Sequence, residues 1–238
     1  MKLITTKQTK LDKARVLGVV NHGLALSPAK EASIVLKRPD IPNMCPNAGV
    51  CARVCLKHTG MNIFPTHILA RAKRTAFYHD DRAGFMRQLN VEIRKAAANA
   101  AQHGLAYAFR PDLLSDQRDM AKELANANPT IQFYDYTKLD DPAAHVLPNF
   151  HLTFSHSEKK TWAEHEAILQ SGVNVAVVFD ILKGQPFPAT FRGWPVLDGT
   201  VSDLRYMDPT HHIVGLHFLG PRANLQAAIE GGFVLHAN

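Results

Sequence analysis

Six short apolar runs, at residues 105–109, 131–134, 151–154, 173–179, 195–197 and 213–218, alternate with segments of helical or loop character. Runs of this length, rich in Val, Ile, Phe and Tyr, read as strands. Residues 115–126, 160–170 and 221–230 read as helices, each able to return the chain so that the next strand runs parallel to the last. Upstream, residues 16–26 form one or two extended apolar pieces ending at Ser27-Pro28-Ala29, where the proline argues against a continuing strand. A helix is expected from Pro65, with Ile68, Leu69, Ala72 and Ala76 along one face. A second, over 84–102, carries Phe85, Leu89, Ile93, Ala96 and Ala100 at three- and four-residue steps and stops at Gly104. About seven strands in such alternation predict an α/β fold. The first choice is a parallel β/α barrel, TIM-like and complete or incomplete; the second is an open doubly wound sheet.

At 238 residues, without a shift in composition, the chain reads as a single α/β domain over 1–238, with an inserted cysteine loop at about 40–60. A 46% hydrophobic and 20% charged composition is that of a soluble globular protein. No apolar run approaches the roughly 20 residues that span a bilayer, so no membrane partner is expected. The start, Met1-Lys2-Leu3-Ile4-Thr5-Thr6-Lys7, has no long apolar stretch or cleavage site, which places the protein in the cytoplasm. The formal charge of +6 permits nucleic acid or phosphate as a partner and equally fits scattered solvated Lys and Arg. Nothing in the sequence sets an oligomeric state.

All three cysteines fall within eleven residues, Cys45-Pro-Asn-Ala-Gly-Val-Cys51-Ala-Arg-Val-Cys55. Three thiols cannot all pair as disulfides, and core packing does not gather every cysteine into one Pro- and Gly-bearing loop. Thiolates suit iron–sulfur clusters and zinc, and three satisfy all but one corner of a cubane or tetrahedral site. An iron–sulfur cluster, 4Fe-4S, ranks first, with Cys45, Cys51 and Cys55 as its ligands; zinc, with His58 completing a Cys₃His set, ranks second.

Polar residues gather where the apolar runs end: Arg110 and Asp112; Asp135, Tyr136, Thr137 and Lys138; Ser155, His156, Ser157 and Glu158; Asp180; Asp198. In a parallel α/β architecture these ends share the rim where active sites are built, and the cysteine loop opens on the same rim. Arg110, Asp135, Lys138 and Glu158 are therefore the candidate catalytic residues around the cluster. Some polar residues here have a plainer use as helix caps, Ser115, Asp116 and Ser157 among them.

Several blocks in order resemble the phage gene-product-88 family: Leu26-Ser27-Pro28-Ala29, the cysteine loop through His58-Thr59-Gly60, Phe133-Tyr134-Asp135-Tyr136-Thr137-Lys138, Leu152-Thr153-Phe154-Ser155 with Ser157-Glu158, Asn174-Val175-Ala176-Val177-Val178-Phe179 and Asp203-Leu204-Arg205. The similarity runs from about residue 24 to 220. It implies a phage-encoded protein made in the bacterial host cytoplasm and little about its reaction. Where relatives tend to read Arg-Leu-Asn-Gly-Thr-Ser-Asp, this chain reads Arg110-Pro111-Asp112-Leu113-Leu114-Ser115-Asp116, without the Asn-Gly turn.

A three-cysteine loop after the first strand also looks, in architecture alone, like the radical S-adenosylmethionine enzymes. Their usual spacing differs, and no Gly-Gly-Glu-type stretch follows the next strand. Two functions from different classes result. One is a redox or radical-type enzyme with a small molecule, S-adenosylmethionine included, at the open cluster position. The other is a non-catalytic cluster or zinc protein whose basic surface binds nucleic acid or a host protein; a zinc-dependent nuclease or hydrolase is a third.

Overall fold

Backbone hydrogen-bond ladders join ten strands into one sheet whose parallel part begins at residues 19–24. In the computed structural model, residues 1–6 and 9–237 are described, Thr9 and Lys10 by their backbone alone. In chain order the elements are β1 (Ile4–Thr5), α1 (Thr9–Asp12), β2 (Val19–Leu24), α2 (Glu31–Leu36), α3 (Pro65–Asp80), α4 (Arg82–Gln102), β3 (Ala106–Arg110), α5 (Arg118–Ala127) and β4 (Gln132–Thr137). They continue with β5 (Phe150–Ser155), α6 (Trp162–Gln170), β6 (Val175–Phe179), β7 (Thr190–Phe191), β8 (Trp194–Asp198), β9 (Ile213–His217), α7 (Leu225–Glu230) and β10 (Val234–Leu235).

The order across the sheet is β1-β2-β3-β4-β5-β6-β9-β8-β7, with β10 paired to β6 off this path. Every pairing is parallel except β1 with β2 at one end and β7 with β8 at the other. The parallel α/β expectation holds, and all six apolar runs are strands. The order is sequential from β2 to β6, after which β9 comes before β8. Among the described residues no ladder joins the β1–β2 end to the β7–β8 end.

Side chains alternate along a strand, and the two faces of this sheet divide by chemistry. Phe109, Phe133, Phe150, Leu152, Phe154, Val175, Val177, Phe179 and Ile213 are all essentially inaccessible. In the β2–β5 half they pack with Phe85, Leu89 and Ile93 of α4 and Met120 and Leu124 of α5. The opposite face carries Asn21, Ala108, Arg110, Tyr134, Tyr136, His151 and Thr153, which the register sets side by side. It is covered by the chain that follows β8, where Leu204 and Tyr206 pack on Ala14, Val19, Ala108 and Tyr134. Lys13 Nζ holds the start of this strap through Thr200 O at 2.8 Å.

One local feature positions the site. β5 pairs with β6 only at Phe154↔Val175 and Ser155↔Ala176, and β10 then pairs at Val178 and Phe179. The two central strands diverge at their carboxyl ends, with the last strand wedged between them.

Two helices differ from expectation. α5 starts at Arg118 because the Asp112 carboxylate takes both the Ser115 hydroxyl and the Gln117 N–H, tying up the residues that would form an earlier first turn. The segment 221–230 begins as a 3₁₀ turn, Arg222–Asn224, before α7. No described helix is long and apolar enough to cross a membrane.

Candidate functional site

The cysteine loop is tied to the strand ends by several contacts. Val50 N donates to Glu158 Oε1 at 2.6 Å, and Asn47 Nδ2 to Lys138 O at 3.0 Å. Met44 O accepts from Asp116 N at 2.9 Å and Gln117 Nε2 at 3.1 Å. At the far end of the loop, Arg71 of α3 pairs with Glu31 of α2 through one guanidinium edge, Nε and Nη2, and donates from Nη1 to Asn62 O at 2.8 Å. The loop thus lies across the rim formed by β3, β4 and β5.

All three cysteines are free and partly buried. Cys45 Sγ accepts from Ala29 N at 3.4 Å and lies 3.5 Å from Leu114 O, to which it donates. Burial pushes the Cys45 thiol up to about 12, with Cys55, Asp112 and Cys51 adding to the rise. Burial likewise raises Cys51 to about 11, opposed by the Lys138 ammonium and reinforced by Cys55 and Glu158. Cys55 is raised by burial and drawn down by the Lys57 N–H and ammonium. The thiols therefore share one electrostatic neighbourhood.

The sulfurs do not converge as ligands of a single ion would. Among the described residues the one set of three ligand atoms mutually within 4.8 Å is Asp40, His79 and Asp80, all exposed. Arg38 already bridges those two carboxylates, so that cluster has its cation. Zinc at about 2.3 Å from each thiolate requires sulfurs about 3.8 Å apart. A cubane distributes its thiolates over different irons and holds them farther from one another. His58 is exposed, so a Cys₃His set would need it to turn inward.

The four charged candidates divide into two pairs. Lys138 and Glu158 meet the loop. Lys138 is buried, its Nζ donates to His156 O, and burial lowers its pKa against the pull of Cys51, Glu158 and Asp116. Glu158 fastens Val50 with one oxygen, while its other oxygen is buried without a hydrogen-bond partner. Arg110 and Asp135 instead belong to a network under the strap. Arg110 reaches Asp135 Oδ1 at 3.3 Å and Asp203 Oδ2 at 3.1 Å, and lies 4.6 Å over the Tyr136 ring. Burial alone would lower the Arg110 pKa; Asp203 and Asp135 more than offset it. Tyr134 OH donates to Asp203 Oδ2 at 3.1 Å and accepts from Asn21 Nδ2 at 2.6 Å.

Asp112 connects the Arg110–Asp135 network to the cysteine loop. Its N–H donates to Asp135 Oδ2 at 2.6 Å, and its carboxyl, raised to about 7 by burial, contributes to the rise at Cys45. Asp116 is no helix cap; its carboxylate accepts from Thr137 Oγ1 and Lys138 N. Sequence reasoning overlooked Arg192, in the β7–β8 turn, and reached Asp203 only inside a block of family resemblance. No periodicity marks either residue.

A family model described as gene product 88 matches residues 2–234. No curated protein and no solved structure matches the chain. The likeness to radical S-adenosylmethionine enzymes has no counterpart in these comparisons.

Proposed function

The chain belongs to the gene product 88 family, and we propose that it carries an iron–sulfur cluster, 4Fe-4S, on Cys45, Cys51 and Cys55. The observation that carries this reading is the burial of three unpaired thiols in one loop, electrostatically coupled to one another and seated on the rim where parallel strands end. Metal binding displaces the protons of such buried thiols, and the metal's own charge then neutralises the thiolates. We further read the sheet as an incomplete β/α barrel, with β2 to β6 parallel in chain order and the 199–207 strap lying over the polar face.

When bound, such a cluster supplies an iron able to act as Lewis acid or one-electron donor. The chain's own groups have separate tasks. Lys138 keeps a cation beside Cys51 and favours its thiolate. Glu158 fixes the loop's middle through Val50. Arg110 and Asp135, each committed to buried partners, hold the ends of β3 and β4 in place. The reading is a redox or radical-type enzyme of the bacterial cytoplasm, with S-adenosylmethionine one candidate for an open cluster position. A non-catalytic metal protein that binds nucleic acid is the second reading, favoured by the charge of +6; salt-dependent retention on DNA distinguishes it.

The test is the visible absorption of anaerobically purified protein beside its Cys45→Ala, Cys51→Ala and Cys55→Ala variants. A brown chromophore lost in each variant supports the assignment. A chromophore that survives any one of the three removes that cysteine from it.

A further inference from the structure

Where β5 and β6 diverge, a cavity of about 320 Å³ opens, lined by His156, Glu158, Trp162, Arg192, Gly231 and Gly232 among others. It sits at the low end of the range of small-molecule sites, about 300–1,000 Å³. It adjoins the cysteine loop: a Cβ on Gly231 would lie 2.9 Å from Val50 Cγ2.

Two residues of its lining each carry a buried, unmet polar atom. His156 is 9% exposed, and its Nδ1 is buried without a hydrogen-bond partner. Glu158 Oε2 is buried and unpartnered too, while Oε1 is occupied by Val50. Leaving such groups unpaired costs about 1–3 kcal/mol each, so both call for a partner. Rings align behind His156. His165 stacks on it at 4.6 Å, Trp162 stacks on His165 at 5.6 Å, and the Arg192 guanidinium covers Trp162 at 4.7 Å.

The charges decide what fits. Lys160 is committed to Asp140 at 2.6 Å and Glu164 at 3.6 Å, and Glu230, an exposed carboxylate on the same lining, accepts from Gln226 Nε2 at 3.0 Å. Arg192 is exposed and has no carboxylate within ion-pair distance among the described residues. Its φ of 52° holds it in the left-handed region at the β7–β8 turn. One wall therefore offers a free cation and another a carboxylate with one oxygen lacking a donor. A plain anion would meet Glu158, and a plain cation would meet Arg192. Only a ligand with both charges satisfies the two walls.

We propose that this cavity binds a small zwitterion of the free α-amino-acid type, its ammonium on Glu158 Oε2 and its carboxylate on Arg192, with the His156 ring nitrogen as a third polar contact. The site is independent of the cluster reading, since binding can be measured whether or not iron is present.

The experiment titrates the full chain with the standard free amino acids by calorimetry and thermal shift, beside matched primary amines and N-acetylated acids. At least one amino acid is expected to bind and raise the melting temperature, with its amine and N-acetyl forms weaker by tenfold or more. Arg192→Met, at an exposed position, and Glu158→Gln, which keeps the side chain's shape, should each weaken binding at least tenfold. The proposal is overturned if no amino acid shifts the melting temperature, if a singly charged form binds equally well, or if either variant binds like the parent.

Discussion

The Glu158 carboxylate, just past the end of β5, accepts the Val50 N–H from the middle of the cysteine loop at 2.6 Å. The neighbouring residue makes the contact feasible: Gly49 has φ 54°, and a Cβ there would lie 1.8 Å from Glu158 Oε1. Gly49→Ala is expected to destabilise the protein by about 1–3 kcal/mol, through left-handed strain and loss of the clasp. Urea unfolding measures this, and limited proteolysis within residues 45–55 should speed up with it. An unchanged midpoint would mean the loop is held elsewhere.

Arg71 and Glu31 form an almost fully buried pair joining α3 to α2. Arg71→Met strands the Glu31 charge and should cost about 3–5 kcal/mol, whereas Arg71→Met with Glu31→Leu should recover much of that loss. A double-mutant cycle by chemical denaturation reads the difference. If the double variant is as unstable as the sum of the singles, the pair is not coupled.

Burial, with His165, Lys138 and Arg192, pushes the His156 pKa down to about 3, against about 6.5 in the unfolded chain. Between those values the unfolded chain holds a proton the folded one refuses. This ring's contribution is therefore complete above about pH 6.5 and is lost as the pH drops toward 3, by about 2 kcal/mol at pH 5. His156→Asn should flatten the slope of unfolding free energy against pH. His151, pushed to about 4 by burial and Arg205, adds a slope of the same sign, and the Asp112 carboxyl, raised to about 7 by burial, one of the opposite sign; both stay in the variant. A parent-like slope in the variant would place the acid sensitivity elsewhere.

Much of the fold was readable because parallel strands are buried on both faces. β6, Val175–Phe179, is an uninterrupted apolar run, and α4 shows its stripe of Phe85, Leu89 and Ile93. β1, β7 and β10 are two residues long, too short to carry a period, and their pairings are tertiary. The exchange of β9 and β8 is a choice of neighbour that no local pattern encodes. At the site, charge at strand ends pointed to Lys138 and Glu158 and equally to Arg110 and Asp135. Only the partners separate the pairs, since Arg110 turns to Asp203, a residue 93 positions away in sequence. Arg192 carries no signal of its own beyond a turn glycine beside it.

The central claim rests on the metal. Iron, acid-labile sulfide and zinc assayed per chain in anaerobically purified protein test it most directly. The account predicts several irons per chain with sulfide in equal amount; stoichiometric zinc without sulfide would contradict it.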